Sequence, residues 1–142
     1  MIITLCGSSK FKAAWYHYAA AIEHAGHSVF AMHTFHHADG IDYHEHEKVL
    51  LDLGHLHKIV ESDAIFVVDH PDPDNPQEGL YIGASTRREI EWALLNGKQV
   101  FCASKPADVQ HLVTSPMEHE VRGTYMPNEL PPHITGKQLE FN

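Results

Sequence analysis

The stretch GLYIGASTRREIEWALLNGKQV, residues 79–100, contains the clearest structural signal in the sequence: a loop, an amphipathic helix and the start of a strand. Thr86 is a favourable N-cap residue, and Glu89 follows three residues later, where a capping box has its acid. Gly97 is expected to end this helix. Val100 to Cys102 then resume as a buried strand. The pattern predicts a helix that returns the chain to a parallel sheet.

The helical wheel of this segment has one apolar side. Ile90, Ala93, Leu94 and Gly97 fall on the side that is expected to lie on the sheet. Glu89 lies on the flank, facing the sheet edge where open parallel sheets bind ligands. Two interpretations follow. Either Glu89 belongs to a ligand site, or it only caps the helix and pairs with an arginine.

Two arginines in the first turn, Arg87 and Arg88, oppose the positive end of the helix dipole. A bound anion would remove this conflict, since the free N–H groups at a helix start also attract anions. We therefore expect a negatively charged group of a ligand near this helix start.

Composition excludes several classes of protein. The 142 residues include 10 Lys or Arg and 19 Asp or Glu, a net charge of −9, which argues against a nucleic acid polymer as partner. The apolar runs are too short to span a membrane. Met1 leads directly into a strand, so we expect no targeting segment, and the two cysteines are expected to be reduced core thiols. These features predict a cytoplasmic protein without a membrane partner.

The fourteen histidines raise the question of a metal site. The sequence has neither HExxH nor CxxC spacing, so we expect solvated or boundary histidines and no specific metal site. His33, His36 and His37 lie around a strand end and loop, and His44 and His46 are two residues apart without a cysteine pair.

The N-terminal unit contains a second candidate site. Residues 2–6 form an apolar strand, and Gly7, Ser8 and Ser9 follow it directly. Gly-Ser-Ser between a strand and a helix is suited to cradle a phosphate or sugar, although one serine could simply cap the helix. That helix is predicted over residues 11–25, with Tyr16 on its flank, where it reaches either a ligand or water.

The next segment predicts an apolar helix. A strand is expected over residues 28–34, a histidine-rich loop over 35–43 and a helix over 45–62. The core stripe of this helix is predicted to be Val49, Leu53, Leu56 and Val60. Apolar positions outside the predicted core predict a homodimer or higher homo-oligomer; they are Leu50, Leu51, Ile59, Trp92 and Leu95.

Residues 64–69 form a continuous apolar strand that ends in Asp69, as a central parallel strand does. A proline-rich loop follows it, and a fourth strand is expected over residues 99–103. The alternation of strands and helices predicts one α/β domain over residues 1–142, with a parallel sheet between helices, flavodoxin- or Rossmann-like. Residues 105–142 are expected to be an irregular C-terminal segment, with a short helix near 108–113. Residues 116–142 are expected to form an ordered loop, an edge strand or a tail that clasps a partner.

Three pieces of sequence carry a family resemblance: LCGSSKF at residues 5–11, HLHKIVESDAIFVVD at 55–69 and YIGASTRREIEWALLNGKQV at 81–100. In this order they resemble the nucleoside 2-deoxyribosyltransferase-like family, including its deoxynucleoside 5′-monophosphate N-glycosidases. The resemblance covers roughly residues 1–105. It implies an oligomeric enzyme that cleaves the N-glycosidic bond of a small nucleoside or nucleotide without a cofactor or metal.

The resemblance implies that Glu89 is the nucleophile. A carboxylate near C1′ stabilises the oxocarbenium-like state and can trap it covalently. Asp69 and His55 are the other candidate catalytic residues, although His55 stands where many members have aspartate. Gly83 likewise stands where members have aspartate or serine. The candidate substrate-binding residues are Gly7, Ser8, Ser9, Tyr16, Gly83, Ser85, Thr86 and Arg87.

Three functions remain open at this point. The first is an N-glycosidase acting on a (2′-deoxy)nucleoside 5′-monophosphate, which the hydroxyls of Ser85 and Thr86 and the arginines favour. The second is a deoxyribosyltransferase, in which a second base instead of water receives the sugar. The third is a nucleotide-binding sensor without turnover.

Overall fold

The centre of the computed structural model is a sheet of four parallel strands. The structure describes residues 1–114. The strands, in the spatial order β2-β1-β3-β4, have the bounds β1 Ile2–Gly7, β2 Ser28–Phe30, β3 Ala64–Val68 and β4 Gln99–Cys102. The predicted parallel α/β fold is therefore confirmed for the described part of the chain.

Helices connect the strands and cover both faces of the sheet. Their bounds are α1 Lys12–His24, α2 His36–Asp39, α3 Glu45–Val60, α4 Ala84–Leu95 and α5 Pro106–Thr114. Two short 3-10 turns add to them, at Ser9–Phe11 and Pro76–Glu78. Within residues 1–114 none of the helices is both long enough and apolar enough to cross a membrane.

The central strand β3 is buried on both sides, as its continuous apolar run predicts. Phe66 and Val68 pack into one core with residues of α1 and α5. Ile65 and Val67 pack into a second core on the opposite face, with residues of α3 and α4. The second core consists of Cys6, Ile59, Ile65, Val67 and Ala93.

The second strand is shorter than predicted, since β2 ends at Phe30 and not at residue 34. The Lys58 Nζ atom donates a hydrogen bond of 2.8 Å to the carbonyl of Ala31, the residue at which the chain leaves the sheet. Residues 32–34 are thereby free to line a cavity at the sheet edge.

The helix α3 is rotated relative to the prediction. Val49 and Leu53 of the predicted core stripe are 50% and 57% exposed, and Val60 is also exposed. Ile59, which was predicted for a subunit interface, is 0% exposed and lies in the core. The helix buries His55 and Ile59, four residues apart, because the face that carries both lies against the sheet, where His55 contacts Cys6 at the end of β1. Apolar periodicity cannot detect a buried face that includes a histidine.

The remaining predicted interface residues are exposed on the single chain: Leu50, Leu51, Trp92 and Leu95. Leu94 was predicted to lie on the sheet, but it is 60% exposed, and Ala93 takes the buried position. The outer surfaces of α3 and α4 are therefore more apolar than the sequence predicted.

The predicted short helix near residues 108–113 is present as α5, so the segment from residue 105 onward is not irregular throughout. Leu112 of α5 is fully buried in the core beside α1. The edge strand or tail predicted for residues 116–142 lies outside the described residues.

Candidate active site

A cavity of about 470 Å³ lies at the edge of the sheet where β1 ends. In an open parallel sheet this edge is the usual place for a ligand. Its walls are the Gly-Ser-Ser segment, residues 32–37, the inner side of α3 and the start of α4. Its polar and ionisable lining residues include Ser9, Tyr43, Lys48, Asp52, His55, Ser85, Arg88 and Glu89.

Glu89 does not form the predicted capping box. The helix α4 begins at Ala84 with Gly83 as its N-cap residue, and Thr86 lies inside the first turn, 3% exposed. Glu89 therefore belongs to the second turn, too far along the helix to cap its free N–H groups. The Oε2 atom of Glu89 is buried and has no hydrogen-bond partner among residues 1–114. Capping does not account for this carboxyl group.

The predicted arginine pairing of Glu89 is also absent among the described residues. Arg88 contacts Asp52 instead, with its guanidinium 3.6 Å from the carboxylate. Burial raises the pKa of Glu89 to about 8, and the charge of Asp52 adds to this effect. The neighbouring Cys6 thiol, Arg88 and Lys48 act in the opposite direction, because they favour the charged form. The cavity thus contains a carboxyl group with a pKa of about 8, well above that of an ordinary glutamate.

Behind Glu89 lie Cys6 at the end of β1 and His55 on α3. Ligand atoms of Cys6, His55 and Glu89 all lie within 4.8 Å of one another. Burial raises the pKa of the Cys6 thiol well above its ordinary value, and the charge of Glu89 adds to the shift. Burial also lowers the pKa of His55 to about 4, and the charge of Lys58 acts in the same direction. His55 is therefore a neutral imidazole at neutral pH.

A cluster of charged and hydroxyl groups lies at the start of α4. Lys48 donates to Asp52 at 2.9 Å and to the hydroxyl of Ser85 at 3.4 Å. Arg88 donates to the same Ser85 hydroxyl at 3.2 Å. Two cations therefore meet at one hydroxyl beside the free N–H groups of a 12-residue helix. Arg88, and not the predicted Arg87, is the arginine that lines the cavity.

Gly7, Ser8 and Ser9 line the opposite side of the cavity, as predicted. A Cβ at Gly7 would lie 3.0 Å from the carbonyl of Val68, so the close approach of β1 to β3 requires glycine here. Ser8 caps the following 3-10 turn by accepting from the Lys10 N–H at 3.2 Å. Ser9 bonds to His37 Nδ1 at 2.6 Å. Both serine hydroxyls are thus already engaged within the protein.

Gly83 and Thr86 also line the cavity. A Cβ at Gly83 would lie 3.2 Å from the hydroxyl of Tyr81, another lining residue. Glycine therefore leaves room for the Tyr81 ring at the start of α4.

Two predicted site residues lie elsewhere. Both carboxylate oxygens of Asp69 accept from Ser104, one from its N–H at 2.8 Å and one from its hydroxyl at 2.5 Å. Asp69 is not among the residues that line the cavity, and its bonds fix the loop after β4. Tyr16 is 61% exposed and packs on the ring of Phe35, also outside the cavity lining. The structure thus does not bring either residue to Glu89.

Several residues of the cavity and its base were not predicted as site residues, among them Cys6, Tyr43, Lys48 and Asp52. Lys48, Asp52 and His55 follow one another at spacings of four and three residues, the spacing of one helix face. This polar stripe on α3 is the sequence pattern from which these residues could have been predicted to share one face. The hydroxyl of Tyr43 is buried without a partner in residues 1–114, so it is free to bond a ligand.

No family model matches the sequence, and a search of the curated proteins found no match.

Proposed function

We propose that this protein is an N-glycosidase that acts on a (2′-deoxy)nucleoside 5′-monophosphate, with Glu89 as the nucleophile. The observation that carries the proposal is the carboxyl group of Glu89, whose buried Oε2 atom has no hydrogen-bond partner among residues 1–114, in a cavity of about 470 Å³ at the ligand-binding edge of a parallel sheet. The resemblance of three sequence segments to the nucleoside 2-deoxyribosyltransferase-like family supports the same assignment.

In the proposed reaction a carboxylate oxygen of Glu89 bonds to C1′ while the bond from C1′ to the base breaks. The bonding electrons leave with the base, which takes up a proton. Water then attacks C1′, releases Glu89 and gives up a proton, so that the net reaction consumes one water. The first step requires the ionised form of Glu89, which burial disfavours by raising its pKa to about 8 and which Arg88 and Lys48 partly restore.

The cluster of Lys48, Ser85 and Arg88 is the proposed site of the 5′-phosphate. A phosphate has three acceptor oxygens, which match two cationic donors, a hydroxyl and the N–H groups at the start of α4. The cluster also supplies local positive charge in a chain of net charge −9. Bound phosphate would compete with Asp52 for both cations.

The chemistry of His55 in this proposal is that of a neutral group. Its imidazole has one N–H donor and one acceptor nitrogen at neutral pH, because its pKa is about 4. It would orient the Glu89 side chain through Cys6 and would not donate a full proton to the base. Asp69, which both donors of Ser104 occupy, has no step in the proposal.

The direct test is incubation of the protein with a panel of nucleosides and their 5′-monophosphates, followed by chromatography of the free base. The proposal predicts base release, with faster turnover of monophosphates than of nucleosides. Base exchange that requires an added free base would instead establish the deoxyribosyltransferase. Saturable nucleotide binding without base release would establish the sensor.

We also propose that the protein forms a homodimer in the cytoplasm. The exposed apolar side chains of α3 and α4 support the dimer, among them Leu50 and Leu95, which are 65% and 82% exposed on the single chain. Light scattering at micromolar concentration is expected to give twice the mass of the chain. A monomeric mass would contradict the assignment.

A further inference from the structure

A cysteine, a histidine and a glutamate converge at the base of the cavity from three different elements. Cys6 lies at the end of β1, His55 on α3 and Glu89 on α4. Cys6 and His55 are buried, and Oε2 of Glu89 has no hydrogen-bond partner among residues 1–114. In the proposed glycosidase reaction Glu89 is the nucleophile, and Cys6 and His55 only position it. The proposed reaction therefore does not explain why these three metal-binding side chain types lie together.

The distance between Cys6 and His55 matches that between two ligands of a tetrahedral zinc site. Bond lengths of about 2.3 Å to sulfur and 2.0–2.1 Å to nitrogen place two such ligands about 3.6 Å apart. The Sγ atom of Cys6 lies 3.7 Å from Nε2 of His55. All three ligand atoms lie within 4.8 Å of one another, so a shift of about 1 Å in one side chain would bring the third into range.

The chemistry of the three ligands selects a particular class of cation. A thiolate and an imidazole favour zinc and similar soft divalent ions over calcium and magnesium, which prefer oxygen. Three protein ligands leave the fourth position open, as in catalytic zinc sites. His55 and Glu89 line the cavity, so that position faces it.

We propose that Cys6, His55 and Glu89 bind a zinc-type divalent cation, with one coordination position open to the cavity. Coordination displaces the S–H proton of Cys6 and, where the carboxyl is protonated, the proton of Glu89, and both pass to solvent. A carboxylate that coordinates the cation is not free to attack C1′, so the metal would inhibit the glycosidase. This consequence rests on the proposed function, whereas metal binding itself does not.

Cobalt(II) provides the test, because a cobalt–thiolate bond gives a charge-transfer band in the near ultraviolet and four-coordinate cobalt absorbs strongly in the visible. Protein stripped with chelator and titrated with cobalt, without nucleotide, is expected to show both features at one cobalt per chain. Zinc should then displace the cobalt. The many histidines of the chain can bind cobalt elsewhere, but they cannot produce the thiolate band.

The chain has only two cysteines, which supplies a matched pair of variants. Cys6→Ser is expected to lose the thiolate band and to weaken zinc binding roughly tenfold or more in competition with a chromophoric chelator. Cys102→Ser should retain the thiolate band and the zinc affinity, because Cys102 lies on β4 and does not belong to the group of Cys6, His55 and Glu89. Absence of the band in the unmodified protein, or its survival in Cys6→Ser, would overturn the proposal.

A second variant covers the case in which Cys6→Ser does not fold. His55→Gln retains both cysteines and removes the imidazole. It is expected to weaken zinc binding roughly tenfold or more and to lower the visible absorption of bound cobalt. Unchanged affinity and spectrum in folded His55→Gln would overturn the three-residue site. Because no nucleotide is present, failure here leaves the glycosidase proposal to be judged by base release.

Discussion

The Nε2 atom of His55 lies 3.7 Å from the Sγ atom of Cys6, a contact between residues 49 apart in the sequence. It joins α3 to the end of β1 directly beneath the cavity. Because His55 faces inward, Ile59 one turn later is buried, and Val49 and Leu53 are turned to the outside. The rotation of α3 that places His55 against Cys6 also turns Lys48 and Asp52 toward the cavity.

The orientation of α3 predicts that truncation of a buried and of an exposed apolar side chain on this helix lowers the free energy of unfolding by different amounts. Ile59→Ala removes a fully buried side chain and is expected to lower the free energy of unfolding by about 2–5 kcal/mol. Leu50→Ala, 65% exposed on the single chain, should change it by about 0.5 kcal/mol or less in the monomer. Urea denaturation at low protein concentration measures both. Equal losses would contradict the observed rotation of the helix.

The phosphate site predicts different effects for two adjacent arginines. Arg88→Ala is expected to raise KM for a nucleoside 5′-monophosphate roughly 10- to 100-fold, since a hydrogen bond to a charged group contributes about 1.5–3 kcal/mol. It should leave the KM of the corresponding nucleoside nearly unchanged. Arg87→Ala is the matched control, because Arg87 does not line the cavity. Steady-state kinetics on the two substrates separates them, and an equal effect of both variants would argue against the phosphate site.

The carboxyl group of Glu89 predicts a pH-dependent stability. Burial raises its pKa from 4.5 to about 8, so between these values the folded protein holds a proton that the unfolded chain has released. The contribution of this carboxyl group to the free energy of unfolding is fully present below pH 4.5 and is lost as the pH rises through about 8. Stability relative to Glu89→Gln, which does not titrate, should fall by at most about 1.4 kcal/mol per pH unit across that range.

Paired denaturation curves of both proteins in chelator, from pH 5 to pH 9, measure this difference. Other titrating groups are common to the two proteins and cancel in the comparison. A constant stability difference over the whole range would show that the Glu89 carboxyl is ionised throughout.

The two proposals together predict how base release responds to removal and addition of a metal ion. The proposed glycosidase uses a free carboxylate, so base release should be undiminished in excess chelator, and added zinc should lower it. The measurement is the rate of base release with chelator, with zinc, and with chelator followed by zinc. If activity is lost in chelator and restored by zinc, the carboxylate nucleophile is contradicted and the reaction depends on a metal ion.

The sequence predicted the parallel sheet well, because each strand is a compact apolar run and each connection has a helical pattern. It predicted the start of α4 wrongly, since Thr86 satisfies the capping preference while Gly83 occupies the position. It also placed Asp69 in the site because the carboxyl end of a central strand lies at the ligand edge. The bonds to Ser104, 35 residues later, were not detectable from spacing.

The cavity itself was only partly predictable. Gly7, Ser85 and Glu89 follow from strand ends and helix starts, which are local features of the sequence. Cys6, His55 and Asp52 come together only after α3 has packed on the sheet. The polar spacing on α3 indicates that Asp52 and His55 share one helix face, but not that this face lies over the end of β1. Long-range packing, and not local propensity, assembles this part of the site.

The most direct test of the central claim is base release by Glu89→Gln, measured together with its melting temperature. Gln keeps the shape of the side chain but provides neither a charge nor a competent nucleophile at C1′. The expected result is a folded variant, at least as stable as the unmodified protein at pH 8, whose kcat has fallen by roughly a thousandfold or more. A stable Gln variant that releases base at the unmodified rate would contradict the assignment of Glu89 as nucleophile.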